Sequence, residues 1–527
     1  MRLLSWVVIA GLLSVVMLVP GTGAVSHAQD DTLVIFQEMD ESMYDDANGP
    51  LYCVPLAGGE TVQLTPDEVK IVEFEVTDSG YIVYLDDQDA LFSVPVTGGS
   101  VVALSGNNVR PDYRVSGNGE YVVYVQDLVL YSAPVVGGDP IRLSPEGLEM
   151  YSEPYGLQSN FIISPDNQHV VFTATETPSG RSPNRIFQLY TVPIGGGEAI
   201  QLNSRLSSGG NVTSFTIAPD AAMVVYRADQ VSDEAFGLFS VPTAGGEVTQ
   251  LTPNDLQASR WTRYMILANN RVVFYIPERD TVFAVDMAGG EVVELADDNW
   301  RAWQWTAAAA DDGSVIVPSE TIDGLVFNQF PSTGGSVTLE IATQSSGHFR
   351  QLPDGSMLIG HRFPEIGGWD EAAIYRYPAD GGDFEVVGWR VREVSGDEIY
   401  FPTRESWNYY AVLSPDNQYL VTYGRVDEEL PVPQFFSVYL PTNEWARLSE
   451  VSGSSGFGGV MFRITADSTR VVYLNDEDDQ EIGDLYTVPI VGGDVVRLTT
   501  DDTMGVVDFQ LYPRGTPWHI SDRGYRP

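Results

Sequence analysis

Residues Leu189–Leu202 read LYTVPIGGGEAIQL, and residues Leu485–Leu498 read LYTVPIVGGDVVRL. The same frame recurs as LYCVPLAGGETVQL from Leu51, LFSVPVTGGSVVAL from Leu91, LYSAPVVGGDPIRL from Leu130 and LFSVPTAGGEVTQL from Leu238. Weaker copies start at Val282, Val326 and Ile374, and FFSVYLPTNEWARL from Phe435 keeps the frame without its glycines. The ten copies stand 39 to 61 residues apart. A period in this range marks a repeat architecture, in which each unit completes the core of its neighbour.

One unit reads as four short strands. Around Leu189, NFIIS is short and apolar, and SPDN follows with turn chemistry: a fixed φ at Pro165, then Asp166 and Asn167. HVVFTA is rich in β-formers, FQLYTV makes a third strand, and EAIQL makes the fourth after the glycines. Those glycines supply the positive φ that a tight hairpin turn requires. Pro193 falls where the third strand ends, where a missing N–H does least harm. In LYTV both faces carry apolar side chains, so each sheet should be buried on both sides. Four-stranded antiparallel sheets repeated about every fifty residues describe β-propeller blades.

The turn also recurs, as SPDNQHVVF from Ser164, APDAAMVVY from Ala218, LPDGSMLIG from Leu352, SPDNQYLVTY from Ser414 and TADSTRVVY from Thr465. With LYxVPxxGG and a closing QLTP or RLT, the pattern resembles the Pro-Asp repeats of the TolB-like, WD-repeat-like propeller family. The resemblance covers nearly the whole mature chain and implies a fold more than a function, because such propellers serve many unrelated roles. The chain departs from TolB in leaving no room for a separate N-terminal α/β domain. Some peptidases attach a hydrolase domain to a propeller of this family, and with repeats running almost to Pro527 none is expected here.

The expected fold class is therefore all-β, a propeller of about ten four-stranded antiparallel blades. The repeats lie near 31–66, 71–106, 109–145, 160–203, 213–253, 262–296, 303–342, 348–388, 409–449 and 460–500. DTLVIFQ from Asp31 matches a second strand, and VVDFQLYPRG from Val506 matches first strands such as SFTIAPDA. A C-terminal strand near 505–515 is thus expected to complete the first blade. The alternative is two nested smaller propellers, the first three and last two repeats enclosing a ring of the middle ones. WRVREVSGDEIYFPTRES, from Trp389, reads as an extra pair of strands.

Hydrophobic residues make up 43% of the 527 positions, enough for a sizeable core. Residues 1–28 have the form of a signal peptide: Arg2, an apolar run from Trp6 to Val19, and Ser26-His27-Ala28 at the cleavage site. The mature domain, 29–527, is expected to be secreted or periplasmic, in the cell envelope, monomeric, and without membrane insertion after cleavage. Cys53, the single cysteine, takes a slot that Ser93, Ser132, Thr191, Ser240 and Thr487 fill in sister copies, so it reads as a small structural residue. The net charge is −45 with one lysine, Lys70, which disfavours nucleic acid and anionic membranes as partners and suits a basic one.

Functional residues are expected on the variable loops, since binding sits on variable loops of a rigid scaffold. These loops are acidic at Asp40, Glu41, Asp45 and Asp46, at Asp86, Asp87 and Asp89, and at Asp427, Glu428 and Glu429. The densest contains Asp476, Asp478, Asp479 and Asp484. Calcium is a conceivable ligand there, although the glycine and terminal glutamate of an EF-hand loop are missing, and no other cofactor is implied. Trp261, Arg263, Trp300, Trp303 and Trp305 are the candidates for ligand contact, with packing as the rival account for the last two. His169, His348, His361 and His519 have no metal-ligand spacing, and no G-x-S-x-G elbow occurs. The expected function is a non-catalytic scaffold that binds a protein or peptide through its acidic loop face, whose charge suits a basic partner. The alternative is a carbohydrate-binding or carbohydrate-active propeller, a lyase or hydrolase, working in its central channel.

Overall fold

The computed structural model describes residues 32–514 apart from 40–48, 151–159, 177–185, 297–307, 310–312, 344–348, 364–370, 379–384, 389–410, 425–433, 450–461, 476–482, 501–504 and several shorter stretches. The extra strands read from Trp389 lie outside the described residues. Among the described residues the strands form ten antiparallel sheets, nine with four strands and one with five. The first sheet contains β1 (Leu33–Glu38), β2 (Leu51–Pro55) and β3 (Val62–Gln63), and its fourth member is the C-terminal strand Val506–Tyr512 beside β1. Leu33 faces Tyr512, Ile35 faces Gln510 and Gln37 faces Asp508. The second sheet is the plain meander β4 (Ile71–Val76), β5 (Tyr81–Asp86), β6 (Leu91–Pro95) and β7 (Val102–Ala103). In the five-stranded fourth sheet, Leu148–Glu149 and Phe161–Ile163 both pair with His169–Glu176.

The double burial expected of each sheet follows from strand alternation. In β5, Ile82 and Tyr84 enter a core shared with the first sheet, alongside Ile35 and Leu51. Val83 and Leu85 point the other way, into a core shared with Val122 and Tyr124 of the third sheet. The pattern repeats between consecutive sheets from the first to the seventh and from the eighth to the tenth. Val472, Leu485 and Leu498 of the tenth sheet pack on Val34, Val54 and Phe509 of the first. Meanders stacked face to face in chain order are the packing of propeller blades.

Each part of the repeated phrase has a contact to account for it. The aromatic in LY or LF stacks on a second-strand partner in seven sheets: Phe36–Tyr52, Tyr84–Phe92, Tyr124–Tyr131, Phe172–Tyr190, Tyr226–Phe239, Phe274–Phe283 and Tyr473–Tyr486. Their ring centroids are 5.4 to 5.8 Å apart. The polar residue that closes the phrase accepts a bond from the backbone N–H fourteen residues before it, as in Leu51 N to Thr65 Oγ1 (2.9 Å), Leu189 N to Asn203 Oδ1 (2.7 Å) and Leu238 N to Thr252 Oγ1 (3.0 Å). This clamp is needed because the fourth strand is short, for instance only Ile200–Gln201 where EAIQL suggests five residues. An outermost strand has one neighbour, and a short edge is safer than a long one. The Pro-Asp turn is equally specific. His169 N donates to Ser164 Oγ (2.9 Å), Gln168 N donates to Asp166 Oδ1 (3.1 Å), and Asn167 takes φ +59°. Partial burial opposes ionisation of Asp166, but the bonds from Ser164 and Gln168 outweigh it and hold its pKa below the ordinary value.

The small slot of LYxVP joins neighbouring sheets. Ser93 Oγ donates to Val135 O, Ser132 Oγ to Ile194 O and Ser240 Oγ to Met287 O, each at 2.6 Å, and Ser437 donates to Ile490 O. Every acceptor is the residue that follows the Pro, or its equivalent, in the next copy. Cys53, 4% exposed, occupies this slot in the first sheet, and its S–H is a weak donor. Cys53→Ser should therefore gain a bond to Val96 O and stabilise the chain by about 0.5–1.5 kcal/mol. Denaturant midpoints of the two proteins check this; a lower midpoint for the serine variant would mean that thiol bulk matters more than the bond.

Candidate functional site

The edge strands nearest one another in the tenth, first and second sheets are Phe462–Ile464, Val506–Tyr512 and β4. Antiparallel pairing with β5 sets Glu75 opposite Val83, so the main-chain groups of Phe74 and Val76 point away from β5, along the free edge. That edge is filled by side chains from the C-terminal strand. Gln510 Nε2 donates to Phe74 O at 2.7 Å, and Val76 N donates to Gln510 Oε1 at 2.9 Å. Arg514 Nε donates to Val76 O at 2.5 Å, and its Nη2 reaches Glu75 Oε1 at 3.0 Å. Asp78 lies 3.6 Å from Arg514 Nε.

One strand back, Arg463 does the same for the first sheet. Its Nε donates to Phe509 O at 2.6 Å, its guanidinium lies 5.4 Å from the centre of the Phe509 ring, and Asp508 is 3.7 Å away. Burial lowers its pKa to about 10 against the opposing pull of Asp508, so it stays charged at neutral pH. A free strand edge invites uncontrolled pairing, and an amide or guanidinium across it removes that hazard.

The bonding around Glu75 has a specific form. Acceptance at Phe74 O and donation from Val76 N are the two bonds that one residue of a parallel neighbouring strand would make. The Gln510 carboxamide therefore stands in for the N–H and carbonyl of one residue of such a strand. Beside it, the Arg514 guanidinium occupies the place of a basic side chain between Glu75 and Asp78. In chemical terms this edge holds a carboxamide and a guanidinium together.

Of the residues proposed from sequence, Arg263 and Asp484 are described, and they lie on other strands. Arg263 is exposed at the start of the strand Arg263–Ile266, opposite Tyr275. Trp261, Trp300, Trp303 and Trp305 lie outside the described residues, as do Asp476, Asp478 and Asp479. Asp484 begins the strand Asp484–Pro489, where it pairs with Arg497 (2.8 Å) and accepts from Thr499 Oγ1 (2.6 Å). In the acidic loop after β5, Asp86 Oδ1 accepts from the backbone of Gln88 and Ala90, which makes it part of its own turn. Among the described residues, no group of three or more His, Cys, Asp or Glu could hold a metal ion, and no helix is long and apolar enough to cross a membrane. Gln510 and Arg514 escaped the sequence reading. The signal for Gln510 was a long polar residue between Phe and an aliphatic in first strands, as at Glu75 and Arg463; Arg514, beyond the strand, carried none.

No protein-family model and no curated protein matches the chain. Solved structures similar to it include dipeptidyl peptidase 4 of Porphyromonas gingivalis, with 11% identity, TM-score 0.46, and coverage of 82% of this chain and 63% of that one. A putative dipeptidyl aminopeptidase IV from Bacteroides ovatus gives 10%, TM-score 0.41, and 84% and 62%. A putative TolB from Agrobacterium tumefaciens gives 15%, TM-score 0.27, and 52% and 78%. The chain thus spans less than two thirds of the two peptidases. These findings correct the functional expectation. The first two similar structures are those of peptidases, which are catalytic, so a non-catalytic scaffold working through an acidic loop face is set aside. The carbohydrate alternative finds no support among them either.

Proposed function

We propose that the chain is one continuous ring of ten TolB-like blades, with the C-terminal strand completing the first, and that it handles polypeptide at the inner edges of that ring. Support for a single ring comes from the third sheet packing on the fourth and the eighth on the ninth. Nested rings would pair the third with the ninth instead. In this reading the chain is exported, monomeric and free of a bound cofactor.

The observation that carries the peptide reading is the free edge of β4, which holds an amide in the pattern of a strand and a guanidinium beside Glu75. An extended peptide with arginine or lysine offers both groups, by the same main-chain bonding that adds a strand to a sheet edge. Peptides are also what the names of the matched peptidases imply for those proteins. Whether this chain cuts what it holds is read in the same test.

That test mixes the chain from Gln29 to Pro527 with fluorescent decapeptides containing arginine, or glutamate at the same positions. Anisotropy measures binding and mass spectrometry measures cleavage. Arginine peptides should bind at least about tenfold more tightly, a difference of ~1.4 kcal/mol, and Glu75→Gln should abolish the preference. Equal binding of both series, or a preference indifferent to Glu75→Gln, overturns the reading.

A further inference from the structure

We infer that the segment from Gln510 to Arg514 is a built-in competitor for the β4 edge, so that the peptide site is closed until this segment lets go. The inference rests on the peptide reading above and adds its regulation. Three features of the segment support it.

First, the segment imitates a ligand in two respects at once. The Gln510 carboxamide satisfies Phe74 O and Val76 N, and Arg514 satisfies Val76 O and Glu75. A plug selected only to fill space has no need of both the strand pattern and the cation.

Second, release does not require the first sheet to come apart. The backbone of Gln510 is paired with Ile35 of β1, so only its side chain crosses to β4. Arg514 lies beyond the last residue of the strand, and its side chain is 38% exposed. Rotation of two side chains would free the edge while Phe509 and Leu511 stay in the core between the tenth and first sheets.

Third, whatever replaces the plug must have the same chemistry. Val76 is fully buried, and its N–H loses a bond if Gln510 leaves without a substitute. Water has poor access there, whereas the N–H and the carbonyl of one residue in an extended peptide meet Phe74 O and Val76 N. A tethered competitor is present at high effective concentration, so it should weaken the apparent affinity for free peptide without altering the site itself.

The experiment uses the chain from Gln29 to Pro527 carrying Gln510→Ala and Arg514→Gln together, the arginine decapeptide as probe, and hydrogen exchange at the Val76 amide as second readout. Without peptide, Val76 should exchange at least about tenfold faster in the variant than in the parent protein. With peptide, its protection should return, and the dissociation constant should be at least about tenfold lower than for the parent. If parent and variant bind the peptide equally, or Val76 stays fast in the peptide complex, the competitor is disproved while peptide binding stands. If neither protein binds the peptide although Val76 exchange has quickened, peptide binding itself falls, and the competitor with it. Should the double variant fold poorly, Gln510→Met keeps a side chain of similar length, removes both the acceptor for Val76 N and the donor to Phe74 O, and is read in the same way.

Discussion

A chain ending at Gly505 should lose most of its stability, and with it a single cooperative unfolding transition. The deleted strand buries Val506, Phe509 and Leu511 at 3%, 0% and 2% exposure. At about 1.5–3 kcal/mol for each fully buried side chain, that removes roughly 5–9 kcal/mol. Whole domains are stable by only about 5–15 kcal/mol. The loss is not confined to the strand removed. Val34 and Phe36 share a core with Phe509 and Leu511, and β1 would be left with a bare edge. Arg463 would lose the Phe509 carbonyl and the Asp508 carboxylate while remaining buried. Near-ultraviolet circular dichroism with urea denaturation checks the prediction, and an unchanged midpoint in the truncated chain would show that the C-terminal strand is an ornament.

Much of the fold was legible because repetition turns one ambiguous strand pattern into ten readings of the same pattern. The double burial of β5 was written in YIVYL, and the pairing of VVDFQLY with β1 followed from its likeness to other first strands. What stayed hidden were contacts between copies. Ser132 announces a small residue, but the acceptor of its hydroxyl, Ile194, belongs to the next repeat and is 62 residues away. The candidate site was less legible for a related reason. Gln510 and Glu75 occupy the same place in their repeats, yet Gln510 reaches Phe74 and Val76, on either side of Glu75, only because strands far apart in sequence become neighbours. Acidic loops draw the eye through composition, whereas one glutamine acting on a strand edge changes no composition at all. Length misled in one place: EAIQL has the pattern of a longer strand than its outermost position sustains.

The glycines show the same limit and give the second large effect. Read alone, GG signals a turn with positive φ. In the structure the first glycine of each pair is also where the preceding sheet comes closest. A Cβ at Gly196 would stand 2.7 Å from Ile141 Cγ2, at Gly137 2.7 Å from Val102 Cγ1, and at Gly289 2.8 Å from Thr249 Cγ2. At Gly58 the neighbour is Val496 of the tenth sheet, at 3.5 Å. Gly196→Ala should therefore combine two costs. Its φ of +92° is unfavourable for alanine by about 1–2 kcal/mol. Forcing a methyl against Ile141 adds about 1–3 kcal/mol of overpacking. The total, about 2–5 kcal/mol, should be compared with Gly290→Ala, where φ is +117° and nothing lies within 4 Å of the new Cβ. That control should show the conformational cost alone. Ile141→Ala separates the two terms directly: it makes room for the methyl, so the double variant should be more stable than the sum of the single losses, by about 1 kcal/mol or more. Strict additivity would mean that the glycine is required by turn geometry alone, and that the close approach of the two sheets contributes nothing to its selection.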